Sequence, residues 1–358
     1  MAKDARIEMA VAHWAHRMVT NGVPLADFED VGKSVEAWKD WCAAWVTRGA
    51  FHEELGRAAL ADRREFSAGE HLTTAAACYH FGKFLFADFP DEMRAAHERA
   101  VACRTDALPY LRPAGERVAI PYDGITLKAN LRRPAGVPPE GAKRPPVVVM
   151  AMGLDSAKEE MDTNERVFLD RGMATLCFDG PGQGEGEYER GICPEYEQPV
   201  GAVIDWIEAR DDLDAGRIGL WGVSMGGYYA PRAAAHDRRI KACVSLTGPF
   251  DLAEIWDELP GLTRETFIAR SQAGSPEAAF GMAQRMTLKD CAANITCPLH
   301  IVAGALDRVI PASHAHRLAQ AASGPVVMTH VADGGHVVNN RPYSYRPLTG
   351  DWMAAMLG

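Results

Sequence analysis

The chain has 358 residues, of which 47% are hydrophobic and 24% charged, and it carries a formal net charge of −10. That length makes two structural units the first expectation, and that composition suits a globular protein able to bury a large core. The acidic balance, without any basic block, argues against nucleic acid or an anionic membrane as partner.

The start, residues 1–8, lacks the apolar stretch of a signal peptide, and no run approaches membrane-spanning length. The eight cysteines (Cys42, Cys78, Cys103, Cys177, Cys193, Cys243, Cys291 and Cys297) are scattered, several of them inside expected strands or helices. They read as reduced, buried thiols, so the expected location is the cytoplasm. Apolar residues recur at helical spacing, first Ile7, Val11, Trp14 and Met18, then Val35, Trp38, Cys42 and Trp45. Further helices are expected over 51–66, 68–86 and 91–108, the last with Asp91 after Pro90 as an N-terminal acid. Between Pro109 and Gly115 the character changes, which predicts a helical N-terminal cap domain over 1–114 and a second domain over 115–358.

Short β-rich runs follow at 116–121 and 126–132, joined as a hairpin through Tyr122-Asp123-Gly124. Residues 134–146, rich in Pro and Gly, read as an exposed loop before a third strand over 146–150. Strands then alternate with helices, which implies a doubly wound, mostly parallel sheet. About forty residues between Phe250 and Lys289 interrupt the alternation and suggest a second, helical lid element, at about 250–290. No internal repeat or low-complexity tract is evident.

The most informative segment is Gly222-Val223-Ser224-Met225-Gly226, placed between the strand-like Arg217-Ile218-Gly219-Leu220-Trp221 and a helical run over 228–235. It is a G-x-S-x-G nucleophile elbow in the strand–turn–helix context the motif requires. So tight a turn admits only very small flanking residues, and it pushes the serine oxygen out beside the N–H groups of the helix start. A serine hydroxyl needs a base, and the base an orienting acid, and in α/β-hydrolases these follow in the order Ser, Asp or Glu, His. Asp307 lies in the loop after the buried run 299–304, and His336 ends the glycine-rich Ala332-Asp333-Gly334-Gly335-His336 after the strand 326–331. The bland alternatives are a small residue in a turn for Ser224, a helix N-cap or a partner of Arg308 for Asp307, and a solvated loop imidazole for His336. Asp333 is a rival acid, but three residues before His336 it more plausibly shapes the loop.

Two backbone donors should hold an oxyanion: the N–H of Met225, directly after the nucleophile, and that of Leu154 in the loop Ala151-Met152-Gly153-Leu154-Asp155-Ser156. No Cys, His or carboxylate cluster has convincing zinc spacing, so no metal and no cofactor are expected. Within the N-terminal segment, residues 75–86 combine small and aromatic side chains with Tyr79, His80 and Lys83, as a pocket wall for an aromatic ligand would. The alternative is a core helix with its polar groups satisfied internally. Trp38, Trp41 and Trp45 read as core or interface. In the interruption, Arg264, Phe267 and Arg270 fall at helical spacing and are further candidates to face a substrate.

Phe178-Asp179-Gly180-Pro181-Gly182-Gln183-Gly184-Glu185, Gly153-Leu154-Asp155-Ser156-Ala157-Lys158-Glu159-Glu160 and Gly226-Gly227-Tyr228-Tyr229-Ala230-Pro231-Arg232 together resemble the bacterial 2,6-dihydroxypseudooxynicotine hydrolase group of α/β-hydrolases. The fungal hydrolases that shorten polyketide pigment precursors are similar to the same group. The resemblance runs from Gly115 to the end, and in organisation reaches the helical segment before it. It implies a serine hydrolase that cuts a carbon–carbon bond next to a ketone in an aryl or polyketide-like small molecule. Esterases occur among such relatives, so a carboxylesterase is the alternative, and a non-catalytic binding protein on this fold a third reading.

The same resemblance implies an additional carboxylate just past the strand that follows the nucleophile helix. In Gly248-Pro249-Phe250-Asp251-Leu252-Ala253-Glu254-Ile255-Trp256-Asp257-Glu258, Glu258 after the Trp256-Asp257 pair is the first candidate and Glu254 the second, with Trp256 beside the substrate. Expelling a carbanion requires a proton donor, and a carboxyl in an apolar pocket has its pKa raised to suit. The alternative is a solvated charge on a helix turn. A homodimer through the helical segment is also expected.

Overall fold

The computed structural model describes residues 3–136 and 144–358. The middle of the Pro/Gly-rich loop expected over 134–146 lies outside the described residues. The chain divides into two compact units, Met1–Arg117 with Glu159–Asn164, and Val118–Lys158 with Glu165–Gly358.

The first unit is helical: α1 (Ala5–Thr20), α2 (Leu25–Ser34), α3 (Trp41–Ala61), α4 (Glu65–Lys83) and α5 (Pro90–Ala107). Asp4 caps α1 by accepting from the Arg6 N–H at 2.9 Å, and Pro90 opens α5, where its missing N–H costs nothing. α3 and α4 pack almost backbone to backbone. A Cβ on Gly49 would lie 2.6 Å from the Tyr79 ring, and one on Gly56 2.8 Å from the Leu72 side chain. Around this seam Leu72, Ala75, Ala76, Tyr79, Ala100, Cys103 and Ala107 form an apolar core. The buried carboxylate of Glu160 is neutralised by Arg17 at 2.6 Å and takes the Asn21 amide at 3.1 Å. Despite its burial, the Arg17 charge holds Glu160 well below the usual carboxylate range.

Two helix boundaries differ from expectation. Val35 to Trp45 is not one helix: α2 ends at Ser34, Val35 and Ala37 are extended, and a single 3-10 turn over Trp38–Asp40 leads into α3. The periodicity survives because Trp38, Trp41 and Trp45 bury together, the first two stacked at 5.4 Å, whichever backbone carries them. Nor does a helix begin at Phe51. α3 runs through that position, and its break falls at residues 62–64, where Arg63 takes a left-handed φ of 59°.

The second unit holds an eight-stranded sheet, β1 (Gly115–Tyr122), β2 (Ile125–Arg132), β3 (Pro146–Ala151), β4 (Ala174–Asp179), β5 (Asp214–Val223), β6 (Ile240–Leu246), β7 (Leu299–Gly304) and β8 (Val326–Val331), in the spatial order β1-β2-β4-β3-β5-β6-β7-β8. β2 meets β4 antiparallel, and the pairs from β4 and β3 through β8 are all parallel. The β1–β2 hairpin turns through Asp123 at φ 40° and Gly124 at φ 80°, both left-handed, as a two-residue turn of matching twist needs. β3 is apolar on both faces, Val147 to Ala151 being fully buried, because helices cover both sides of a parallel sheet. Those helices are α6 (Asp162–Leu169), α7 (Glu197–Glu208), α8 (Gly226–His236), α11 (Ala312–Ala321) and α12 (Arg346–Leu357). Between β6 and β7 the alternation is broken by a 3-10 turn (Ala253–Glu258), α9 (Gly261–Ser271) and α10 (Pro276–Arg285). No helix among the described residues is long and apolar enough to cross a membrane.

The α3–α4 seam can be tested directly. Gly49→Ala should lower stability by about 1–3 kcal/mol through overpacking against Tyr79. An unchanged midpoint in thermal or urea denaturation would contradict so close an approach.

Candidate active site

β5 ends at Val223 and α8 begins at Gly226, so Ser224 and Met225 make the whole connection. Ser224 takes φ 55°, a conformation few non-glycine residues adopt. The strain is held by bonds on both sides: the Ser224 N–H donates to Leu246 at the end of β6 (2.9 Å), and its carbonyl accepts from Gly227 (2.7 Å). A Cβ on Gly222 would sit 1.9 Å from the Gly226 carbonyl oxygen, and one on Gly226 2.1 Å from that of Ala151. Both glycines are therefore required by backbone proximity.

The hydroxyl so presented meets an imidazole. Ser224 Oγ lies 2.9 Å from His336 Nε2, and His336 Nδ1 lies 2.8 Å from Asp307 Oδ2. The other carboxylate oxygen of Asp307 accepts the N–H groups of Val309 (2.8 Å) and Ile310 (2.9 Å). Both partners are nearly enclosed, the His336 side chain 6% and the Asp307 side chain 1% exposed, while Ser224 itself is half-buried. The loops carrying them are knitted together: Ala305 donates to Val331 and Leu306 to Gly334. Asp333 turns to Arg341 at 2.7 Å, and Asn340 spans the loop from Gly335 to Asp333. Directly after the histidine, Val337 (φ 59°) and Val338 (φ 52°) are left-handed, which is costly for β-branched residues and concentrates strain beside the imidazole.

The loop after β3 lies against the serine, since a Cβ on Gly153 would be 3.3 Å from that of Ser224. Neither the N–H of Met225 nor that of Leu154 donates to any acceptor among the described residues. Three of the loop's carbonyls, by contrast, are taken. Gln183 Nε2 donates to Met152 (2.6 Å) and Gly153 (2.8 Å), and Arg270 Nη1 donates to Leu154 (2.6 Å). At the far end of the loop the buried Lys158 ammonium sits 2.7 Å from both Asp179 and Glu185.

Comparison with known proteins identifies the group. The chain is 32% identical over 373 residues to a 2,6-dihydropseudooxynicotine hydrolase of Paenarthrobacter nicotinovorans, an alignment covering 100% of this chain and 95% of that one. A crystal structure of 2,6-dihydroxy-pseudo-oxynicotine hydrolase superposes with a TM-score of 0.86 at 31% identity, covering 96% of each chain. The chain belongs to this family of α/β-hydrolases. It is also 31% identical over 274 residues to an α/β hydrolase, xenA, of Xenoacremonium sinensis, spanning 68% of this chain and 62% of the fungal one. Residues 123–275 match the model of the X-Pro dipeptidyl-peptidase (S15) family. The protein is therefore an enzyme, a hydrolase.

The other candidates of this α/β-hydrolase sit in varied surroundings. Glu254 is held by Arg317 and by Lys289 (2.9 Å), and these hydrogen-bonded cations pull its pKa to about 2, so it stays ionised. Glu258 ends the same 3-10 turn, exposed, and forms no hydrogen bond or ion pair among the described residues. Trp256 packs its ring against Phe267 (5.3 Å) and Phe280 (5.6 Å), Phe267 is fully buried, and Arg264 is half-buried on α9. In the helical unit, the Tyr79 hydroxyl donates to Glu53 at 2.8 Å with the Arg99 guanidinium 4.3 Å from its ring centre. His80 Nε2 lies 3.4 Å from Glu160, and Lys83 is fully buried.

Asp27, His52 and Cys78 gather their donor atoms within 4.8 Å. Asp27 is already shared between His52 (2.6 Å) and Arg48 (3.2 Å), and burial pushes the Cys78 thiol far up. Arg270, read as a candidate to face a substrate, bonds the Leu154 carbonyl, and two further contributors had no role assigned by the sequence: Gln183 and the Lys158–Asp179 pair. The motif stretches around 153–160 and 178–185 held them, but only their proximity in space reveals what they touch.

Lys158→Met should leave the fully buried Asp179 without its cation and cost about 3–5 kcal/mol. Urea denaturation reads this as a lowered midpoint with unchanged slope, and retention of the wild-type midpoint would show that the pair is dispensable.

Proposed function

We propose that the enzyme is a serine hydrolase in which Ser224 is the nucleophile, His336 the general base and acid, and Asp307 the orienting carboxylate. The observation that carries this reading is the unbroken relay from Ser224 Oγ to His336 (2.9 Å) to Asp307 (2.8 Å), at the carboxyl edge of the sheet. His336 takes the hydroxyl proton as Oγ attacks a carbonyl carbon, and Asp307 stabilises the imidazolium. The N–H groups of Met225 and Leu154, which have no acceptor among the described residues, receive the oxyanion. Collapse of the tetrahedral intermediate expels the leaving group, His336 returns the proton, and water attacks the acyl-enzyme to release a carboxylic acid. No step calls for a cofactor.

The substrate class we favour is an aryl or polyketide-like ketone, cut at the carbon–carbon bond beside its carbonyl. Support comes from kinship along the whole chain with a hydrolase named for 2,6-dihydropseudooxynicotine. In that reaction the bonding pair leaves on carbon, which must gain a proton while the carbonyl carbon gains hydroxide from water. Glu258 is the proposed additional donor, since Glu254 is held ionised by its cations. The exposure of Glu258 favours a second reading, ester cleavage, in which an oxygen leaving group needs only His336.

Ser224→Ala should abolish turnover and covalent labelling by a fluorophosphonate, and Asp307→Asn should reduce turnover by about 10⁴-fold by leaving the imidazole in the wrong tautomer. Undiminished labelling of Ser224→Ala would refute the assignment of the nucleophile. On aryl 1,3-diketones and p-nitrophenyl esters assayed side by side, Glu258→Gln should slow ketone cleavage by about 10²-fold and spare the esters. Equal rates for wild type and variant on the diketones would remove Glu258 from the mechanism.

A further inference from the structure

We infer that Gln183 is a positioning residue that aims the Leu154 N–H at the reacting oxygen, with Arg270 locking the next peptide of the same loop. The inference rests on the serine-hydrolase reading above and names what sets the geometry of its oxyanion hole.

A trans peptide points its C=O and N–H in opposite directions, so whatever grips the carbonyl of Gly153 also fixes the direction of the Leu154 N–H. Gln183 Nε2 grips that carbonyl at 2.8 Å and the preceding one, of Met152, at 2.6 Å. Its two hydrogens are thereby both used. One residue further on, the Leu154 carbonyl is taken by Arg270 at 2.6 Å, and Arg270 is itself paired with Glu187 at 3.1 Å. Three consecutive carbonyls are thus turned onto side chains, while the Leu154 N–H keeps no acceptor among the described residues.

The Gln183 amide is itself held the right way round. Its oxygen accepts from the Tyr196 hydroxyl, so a flipped amide would put its oxygen against two carbonyls and its NH₂ against a hydroxyl that has lost its acceptor. Tyr196 is fully buried and stacked on Tyr229 with ring centres 3.7 Å apart. Burial pushes its phenol well above the ordinary value, which keeps the O–H a donor at any working pH. Only glycine fits at position 180, because a Cβ there would fall 2.1 Å from the Tyr196 oxygen. At the other end of this turn a Cβ on Gly184 would strike the Asp179 carboxylate at 2.1 Å, the same carboxylate that anchors Lys158. The Asp179-Gly180-Pro181-Gly182-Gln183-Gly184 turn is therefore a mould for the loop after β3. A donor fixed before the substrate arrives needs no reorganisation when negative charge develops.

The test uses the full-length enzyme and a fluorophosphonate, whose phosphoryl oxygen must enter the same hole. Gln183→Met should lower the maximal inactivation rate, kinact, by about tenfold to a hundredfold, approaching the loss of a whole oxyanion donor. The half-saturating probe concentration should stay within about twofold, because a mispositioned donor affects the transition state more than initial binding. Tyr196→Phe, which keeps the ring stack and removes only the hydroxyl, should lower kinact by a smaller factor in the same direction. A folded Gln183→Met with wild-type kinact overturns the inference, as does a change confined to the half-saturating concentration. If Gln183→Met fails to fold, Tyr196→Phe decides, and an unaltered kinact in it is equally fatal. A wild type no more reactive than Ser224→Ala sinks the serine-hydrolase reading, whereas a reactive wild type with an indifferent Gln183 sinks this inference alone.

Discussion

The site depends on how little room there is where β5 turns into α8. At the elbow the carbonyl of Gly226 comes within 1.9 Å of where a Gly222 Cβ would be, and Ser224 is forced to φ 55°. Such a backbone is unfavourable by itself and persists only because neighbouring strands over-determine it. Leu246 of β6 accepts from the Ser224 N–H, and the end of β3 presses on Gly226. The parallel sheet is therefore the clamp that keeps a serine side chain projecting from its edge.

Once that projection is fixed, the other groups need only reach it. β7 and β8 end beside the same edge, and their following loops are bonded to each other before either touches Ser224. Asp307 is held by two backbone N–H groups and so turns one oxygen to His336 and the other away. The left-handed pair Val337 and Val338 shows that the histidine loop too is bent against local preference. Unfavourable backbone thus collects on both sides of the Ser224–His336 hydrogen bond, where packing further back in the sheet can sustain it.

Some of this is legible in the sequence. The elbow could be read because its chemistry is local: a tight strand-to-helix turn demands small residues at fixed offsets from the serine. Asp307 and His336 were legible through chain order, since each follows a strand, β7 or β8, of the parallel part of the sheet, whose strands end at one edge. The helical segment was less so. The run from Val35 to Trp45 is periodic, yet it crosses an extended break and a 3-10 turn, because burial of three tryptophans constrains side chains and leaves the backbone path open. Glu254 and Glu258 sit on one short turn, and what separates them is that Arg317 and Lys289, distant in sequence, reach only the first.

The sequence by itself determined the class of fold, the tight strand-to-helix turn at Ser224 and the order in which Asp307 and His336 follow it, because these rest on short-range sterics and on the alternation of strands and helices. Tertiary structure alone decided which groups hold the loop after β3. Gln183, Arg270 and Tyr196 lie far from it along the chain, and a hydrogen bond to a backbone carbonyl leaves no trace in residue spacing. The carbonyl acceptor is the same for every amino acid, so only folding reveals which donor has claimed it.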